Sequence, residues 1–299
     1  MGFLQLHNGI LSVAINPLGA ELSSMRLRDG GELLWQGGEA WARRAPILFP
    51  IVGRMPGNEL VHKGVAYPIG QHGFARDLPF DAVRESDSSV EFSLVDTEET
   101  RRHFPFAFRL SVRFAIDGQT LSIRHTVSNP GAEPFSASVG GHPAFVWPLA
   151  DGAAREAHTL EFPEDEPAPI RRIAGGLLLP DGLDTPVRGG ILQLDDALFV
   201  HDAIIFDALR SRSVRYSAPG TPMITMRFDD FPLLGVWSKA PGEFLCIEPW
   251  FGMTAPQGFA GEYTEKPGQF TLQPGESTEF TYSVTVEPAS AVGARDAQA

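Results

Sequence analysis

Glycine and proline interrupt this chain so often that long helices have no room to form. Its 299 residues include 31 Gly and 25 Pro, spread throughout. Proline removes a helix hydrogen bond and glycine carries the largest backbone entropy cost, so this density favours short elements and turns. Between the interruptions the apolar residues alternate with period two, the mark of strands with one buried face. Ser111–Ile116 stops at Asp117-Gly118, a hairpin signal, and Leu121–Val127 follows at once. Similar runs occur at Val90–Val95, Ser213–Tyr216, Met223–Phe228, Leu233–Trp237 and Phe280–Val286. The N-terminal stretch MGFLQLHNGILSVAINP reads as a strand, with no basic leader and no apolar core of a signal peptide. One short helix is expected over Thr97–His103, acids first and bases last as the helix dipole prefers. The pattern predicts an all-β chain built as a large antiparallel sandwich, 1–287 as one domain, with a small polar tail over 288–299 that frays. Asp151–Gly190, rich in Pro, Gly and acids, reads as long connections over the sandwich.

Composition narrows the partners. The formal charge is −13, from 24 basic against 37 acidic residues, opposite to the basic face that nucleic acid or an anionic membrane selects. No apolar stretch approaches the roughly 18 residues of a membrane helix, and a cytoplasmic protein is expected. The single cysteine, Cys246, excludes an intrachain disulfide and reads as an inert core thiol. There is no HExxH, cysteine pair, EF-hand loop, GxGxxG, P-loop or GxSxG elbow. Neither a metal nor a cofactor is expected, and acid–base chemistry by side chains is the simplest enzymatic reading.

Two strings carry the candidates: Gly140-Gly141-His142-Pro143-Ala144-Phe145 and Cys246-Ile247-Glu248-Pro249-Trp250. A residue before proline is pushed to extended backbone, so His142 and Glu248 should leave stiff chain. Gly140 and Gly141 permit a tight turn or close approach of a ligand. Alternation places Phe244, Cys246, Glu248 and Trp250 on one strand face, Leu245, Ile247 and Pro249 on the other. A carboxylate among such neighbours either has a cationic partner, Arg54 or Arg76, or lines a pocket where burial raises its pKa and makes it a better base. His142 taken alone reads more readily as a strand-end histidine bonded to a backbone carbonyl. Arg54 and His72 lie in Gly-flanked segments after apolar runs. Trp35, Trp147, Trp237 and Trp250 could stack on a sugar, though large aromatics are more often core.

PILFPIVGR (Pro46–Arg54), HGFARD (His72–Asp77), HFPFAF (His103–Phe108), GGHPAF (Gly140–Phe145) and CIEPWFG (Cys246–Gly252) occur in the order, and across most of the chain, in which they occur in the aldose 1-epimerase (galactose mutarotase-like) superfamily, which this sequence resembles. The resemblance is greatest to its bacterial cytosolic branch. It implies an antiparallel β-supersandwich with an open sugar cleft, no cofactor, and a monomer or homodimer. It implies Glu248 as general base and His142 as general acid in α/β anomer exchange of a hexose. It further implies Arg54, His72 and Asp202 as substrate-binding residues, Asp202 being preferred to the neighbouring Asp195, Asp196 and Asp207. With His142 protonated while Glu248 is ionised, a bell-shaped pH profile is expected. The alternatives are a hexose-6-phosphate 1-epimerase using Arg43, Arg44 and Arg76 for the phosphate, and a non-catalytic carbohydrate-binding protein. A retaining glycosidase needs two carboxylates about 5 Å apart, where these motifs offer one carboxylate and one imidazole. The segment after Trp250, Phe251–Pro256, has no early Asp, unlike a common form of the family.

Overall fold

The structure, a computed structural model, describes residues 2–289. Of the tail expected from 288, residues 290–299 lie outside the described residues. Two antiparallel sheets dominate. The larger has nine strands in the order Ile191–Gln193, Thr159–Glu161, Ser213–Ser217, Met223–Arg227, Ser277–Glu287, Thr120–Ser128, Arg109–Asp117, Ser89–Val95, Asp81–Arg84. The second runs Ile204–Phe206, Leu233–Trp237, Phe244–Phe251, Val139–Gly141, Ile47–Leu48, and Ala144–Val146 also pairs with Phe244–Phe251. The all-β supersandwich expected from the sequence is therefore the observed architecture.

Alternation explains how the sheets stack. Leu121 and Ile123 of the first sheet, with Val236, Leu245 and Ile247 of the second, belong to one continuous buried core. Gly141 shows how close the two layers come: a Cβ there would stand 2.8 Å from the ring of Tyr282 on the facing sheet. The other face of the second sheet carries two smaller clusters, one around Leu48, Ile205, Leu233 and Trp250, the other around Ala144, Phe244 and Cys246. The site lies on that face.

The elements depart from the sequence pattern in three informative places. The N-terminal stretch is two strands, Leu4–His7 and Leu11–Asn16, because Gly9 takes a left-handed φ of 84° and Asn8 Oδ1 accepts from the backbone N–H groups of Ile10 and Leu11. The extended stretch that leads to His142 is not one strand but two, Phe135–Ala137 and Val139–Gly141, paired to different strands. Between them the Ser138 N–H donates to Pro50 O. Asp151–Gly190 is mostly connection but contributes the strand Thr159–Glu161 to the large sheet. The helix is one turn, Glu98–Arg101, started by Thr97, whose side chain accepts from the Thr100 N–H while Thr100 reaches back to the Thr97 backbone.

His125 sits in the core without charge. Its ring is fully buried, stacked at 5.9 Å on Tyr282 and edge-on to Phe231, and neither ring nitrogen has a hydrogen-bond partner among the described residues. Burial pushes its pKa down to about 4, with the Phe280 backbone offsetting only part of the effect. A folded-state pKa below the unfolded value of about 6.5 means that the unfolded chain binds the extra proton. Stability from this group is therefore complete above pH 6.5 and is lost as pH falls towards 4, on the order of 3 kcal/mol in all. His125→Phe should flatten the fall in melting temperature between pH 7 and 4.5; an unchanged slope would show that another group sets the acid limit.

Candidate active site

Strand register brings the two strings together. Gly140 pairs with Trp250 and Val139 with Phe251 before the His142-Pro143 step, and Ala144 pairs with Cys246 after it. The register is the same on both sides, and the Ile247 N–H donates to Pro143 O between them. His142 therefore stands opposite Glu248 on neighbouring antiparallel strands, where Cβ atoms lie about 5 Å apart. His142 Nε2 is 3.1 Å from Glu248 Oε2, and the two residues are 7% and 1% exposed. Neither Arg54 nor Arg76 pairs with Glu248; the imidazole takes that place. The contact is close but off the line of a hydrogen bond, and Oε2 has no hydrogen-bond partner among the described residues.

On its other side Glu248 is paired with Gly235. Gly140 and Gly235 together hold the Trp250 indole: a Cβ on either would fall within 2.7 Å of that ring. The close approach that Gly140 and Gly141 permit is thus by Trp250 and Tyr282. Above Glu248 opens a cavity of about 400 Å³. Trp41, Trp237, His72, His142, Asp202 and Thr254 line it with Glu248 and Trp250.

The His142 ring is held on three sides. Trp41 stacks on its face (4.9 Å between centroids, 24° between planes), and Trp237 and His72 meet it edge-on at 5.9 and 5.7 Å. Burial pushes the His142 pKa down to about 3, helped by the positive charges of Arg76 and Arg43. Burial, then the negative charge of Asp202, pushes Glu248 well above the usual carboxylate range, opposed by the Trp250 indole N–H. Both shifts favour neutral forms, the opposite of the ionised pair expected from sequence.

His72 has a left-handed backbone (φ 64°), strain that persists only where the surroundings impose it. The Gly53 N–H donates to His72 Nδ1 at 3.1 Å and the His72 N–H returns to Gly53 O at 2.7 Å. The ring proton therefore sits on Nε2, beside the Gln71 amide at 3.2 Å. Burial holds this imidazole neutral as well. Asp202 also has a left-handed φ (67°), which aims it into the cavity from just before the strand Ile204–Phe206. Arg54 contributes backbone rather than charge: its N–H donates to Thr254 Oγ1 at 2.9 Å, and its side chain lies behind Gly176, which lines the cavity.

Of the five candidates, His142, Glu248, His72 and Asp202 thus share one cavity, and Arg54 stands one layer outside it. Trp237 and Trp250 face the cavity; Trp147 is core and Trp35 packs on Phe244. Arg43 and Arg76 line the wall, whereas Arg44 bonds Gln36 and the Glu21 side chain elsewhere. Trp41, Gln71 and Thr254 escape sequence reasoning. Trp41 lies in an irregular segment without periodicity, and Thr254 reaches the site because its hydroxyl ties together Arg54 and Gly176.

These features define a class: a β-sandwich protein whose open cavity ends on a buried imidazole–carboxylate pair. A family model described as Aldose 1-epimerase matches residues 3–285. The plasmid-encoded protein LacX of Lactococcus lactis subsp. lactis is 33% identical over 300 residues, covering 95% of this chain and 99% of that protein. A galactose mutarotase related enzyme from Lactobacillus acidophilus superposes with a TM-score of 0.89 at 31% identity, covering 97% of this chain and 98% of its own. A galactose mutarotase-like protein from Lactobacillus casei ATCC 334 gives 0.89 at 30% identity, covering 96% and 100%. The chain belongs to the aldose 1-epimerase family.

Gly53 joins His72, Arg54 and Thr254, and it has no room for a side chain. Its φ is 74°, and a Cβ would stand 2.2 Å from that of Thr254. Gly53→Ala should cost about 2–4 kcal/mol of stability, read as a lower urea midpoint. An unchanged midpoint would show that this wall of the site adjusts freely.

Proposed function

We propose that this chain is an aldose 1-epimerase that interconverts the α and β anomers of a hexose by acid–base ring opening. One observation carries the proposal: an imidazole nitrogen and a carboxylate oxygen held 3.1 Å apart at the floor of a sugar-sized cavity. Glu248 removes the proton from the anomeric O1 hydroxyl while His142 gives a proton to the ring oxygen. The C1–O5 bond breaks, the aldehyde rotates about C1–C2, and closure on its other face yields the opposite anomer with the two roles exchanged. His72 Nε2–H and Asp202 hold sugar hydroxyls, and Arg54 supports the wall. Residues 1–287 act as one galactose mutarotase-like unit, since the cavity draws on residues from Trp41 to Thr254. No helix among the described residues is long and apolar enough to cross a membrane, and a cytoplasmic enzyme acting on free sugar without a cofactor is the setting this reading implies.

Burial adjusts the proton bookkeeping. The resting pair holds one proton, on the carboxyl, and passing it across the 3.1 Å gap gives the ionised base and the charged acid. A second proton is gained only as pH falls through the His142 value of about 3, and the single proton is lost only above the raised Glu248 range. Exchange per folded molecule should therefore stay level from near the His142 value of about 3 up to the raised Glu248 range and fall above it, without the acid limb that an ordinary carboxylate would give. An NMR exchange rate that halves as pH falls through about 4.3, where a free glutamate titrates, would refute this account.

Glu248→Gln should lower anomer exchange at saturating glucose or galactose by roughly 10²–10⁴-fold. Wild-type exchange in that variant would remove Glu248 from the mechanism, and sugar binding without accelerated exchange in the native chain would favour a non-catalytic binding protein.

One observation favours a phosphorylated hexose as the substrate. Arg43 and Arg76 stand together on the cavity wall, and burial with the like charge of Arg43 pushes Arg76 down to about 10 although Asp77 is near. A guanidinium pair under that strain is relieved by an anion. If a phosphate is the anion, glucose 6-phosphate should show a kcat/KM at least tenfold above glucose; equal values would leave the free hexose.

A further inference from the structure

Beside Glu248, beneath the residues that line the cavity, lies a thiol that proton transfer does not use. Cys246 is the chain's only cysteine and is fully buried. It precedes Glu248 by two residues on Phe244–Phe251, so both side chains leave the same strand face. Cys246 Sγ, a Glu248 carboxylate oxygen and a His142 ring nitrogen all lie within 4.8 Å of one another. Nε2 and Oε2 are 3.1 Å apart. Around a tetrahedral zinc ion, bonds of about 2.0–2.3 Å set neighbouring donors roughly 3.3–3.7 Å apart, so small side-chain rotations suffice. The Glu248 Oε2 atom, on a carboxylate almost wholly buried, also has no hydrogen-bond partner among the described residues.

We propose that His142, Cys246 and Glu248 form an inhibitory site for a thiophilic divalent cation, of which Zn²⁺ is the best match. The ion is bound through Nε2, Sγ and one carboxylate oxygen, with a water or sugar hydroxyl from the cavity as fourth ligand. Nitrogen, sulfur and oxygen donors with one open position suit zinc, whereas Mg²⁺ and Ca²⁺ demand oxygen shells. Binding displaces two protons to solvent, one from the Cys246 thiol and one from the Glu248 carboxyl, both of which burial holds protonated in the free site, and the resulting thiolate and carboxylate neutralise the ion. Arg43 and Arg76 on the cavity wall face Asp77 at 2.8 and 3.8 Å, which offsets part of the positive charge they present to the ion. Asp202 adds a further carboxylate on the cavity wall. A coordinated Nε2 holds no proton and a coordinated carboxylate accepts none, so the occupied pair is inactive. That consequence rests on the acid–base reading above; the binding does not.

Co²⁺ tests the site directly, because its absorption reports its ligands. The untagged full chain, in metal-free buffer, should take up one Co²⁺ with a near-ultraviolet thiolate-to-cobalt band and the intense visible bands of a four-coordinate ion. With one cysteine in the chain, that band can arise only from Cys246. Its absence at saturating Co²⁺ would overturn the site. In calorimetric titration Cys246→Ala should bind Zn²⁺ at least tenfold more weakly than the native chain. It should keep its metal-free anomer exchange and resist Zn²⁺ inhibition. Equal Zn²⁺ affinity in the two proteins would place the ion elsewhere. If Cys246→Ala does not fold, the cobalt spectrum of the native chain decides alone. If neither protein accelerates exchange, the spectrum still settles binding separately from catalysis.

Discussion

Everything at the site depends on the pairing of one strand. Phe244–Phe251 is gripped on one edge by Leu233–Trp237 and on the other by Val139–Gly141 and Ala144–Val146. That double pairing allows one register, and in it Glu248 faces His142. A slip of one residue would turn Glu248 into the core and bring Ile247 or Pro249 out, reversing every side chain on the strand. The core prevents this, because Leu245 and Ile247 lie on its side of the strand, among the buried residues of the main cluster. The site is thus held by the same apolar burial that holds the sandwich.

Electrostatics follow from that placement. Three imidazoles, those of His72, His125 and His142, are driven towards neutrality by burial, and Glu248 is driven the same way from the opposite charge. In His125 the effect is only a liability in acid. At the cavity it leaves a donor on His72 Nε2 and a pair that shares one proton without a fixed charge separation. A buried ion pair gains little when desolvation is counted, so a neutral resting pair that ionises in use is the less costly arrangement.

The architecture was legible because strands announce themselves locally. Alternation from Arg109 to Ser128 and the Asp117-Gly118 turn specify a hairpin without reference to anything distant. His142 and Glu248 stood out because each precedes proline in an apolar run. Their convergence was not legible: register between strands about a hundred residues apart is set by pairing partners that no local pattern names. Trp41 was hidden for a related reason. It lies outside regular structure, held by the Trp35 indole and the Gly38 N–H, which both donate to its carbonyl. Arg54 shows the converse. Its motif marks the right wall of the cavity, but the left-handed Gly53 before it turns the backbone, not the guanidinium, towards the site. Gly140 and Gly141 invited a ligand in sequence, whereas aromatic rings occupy their surfaces.

The cavity is assembled from two kinds of material. Its floor is sheet, with His142, Glu248, Trp237 and Trp250 in or beside paired strands. Its walls are connections, from Trp41 through Gln71, Gly176 and Asp202 to Thr254, each on a separate loop. Loops accept insertion and exchange far more readily than paired strands. A lineage with this fold is therefore free to revise which molecule it admits while its reactive floor stays fixed, so chemistry and selectivity can drift at different rates. Relatives should be expected to differ most at the rim, and a designer seeking a new sugar would recast the loops and leave the strands alone.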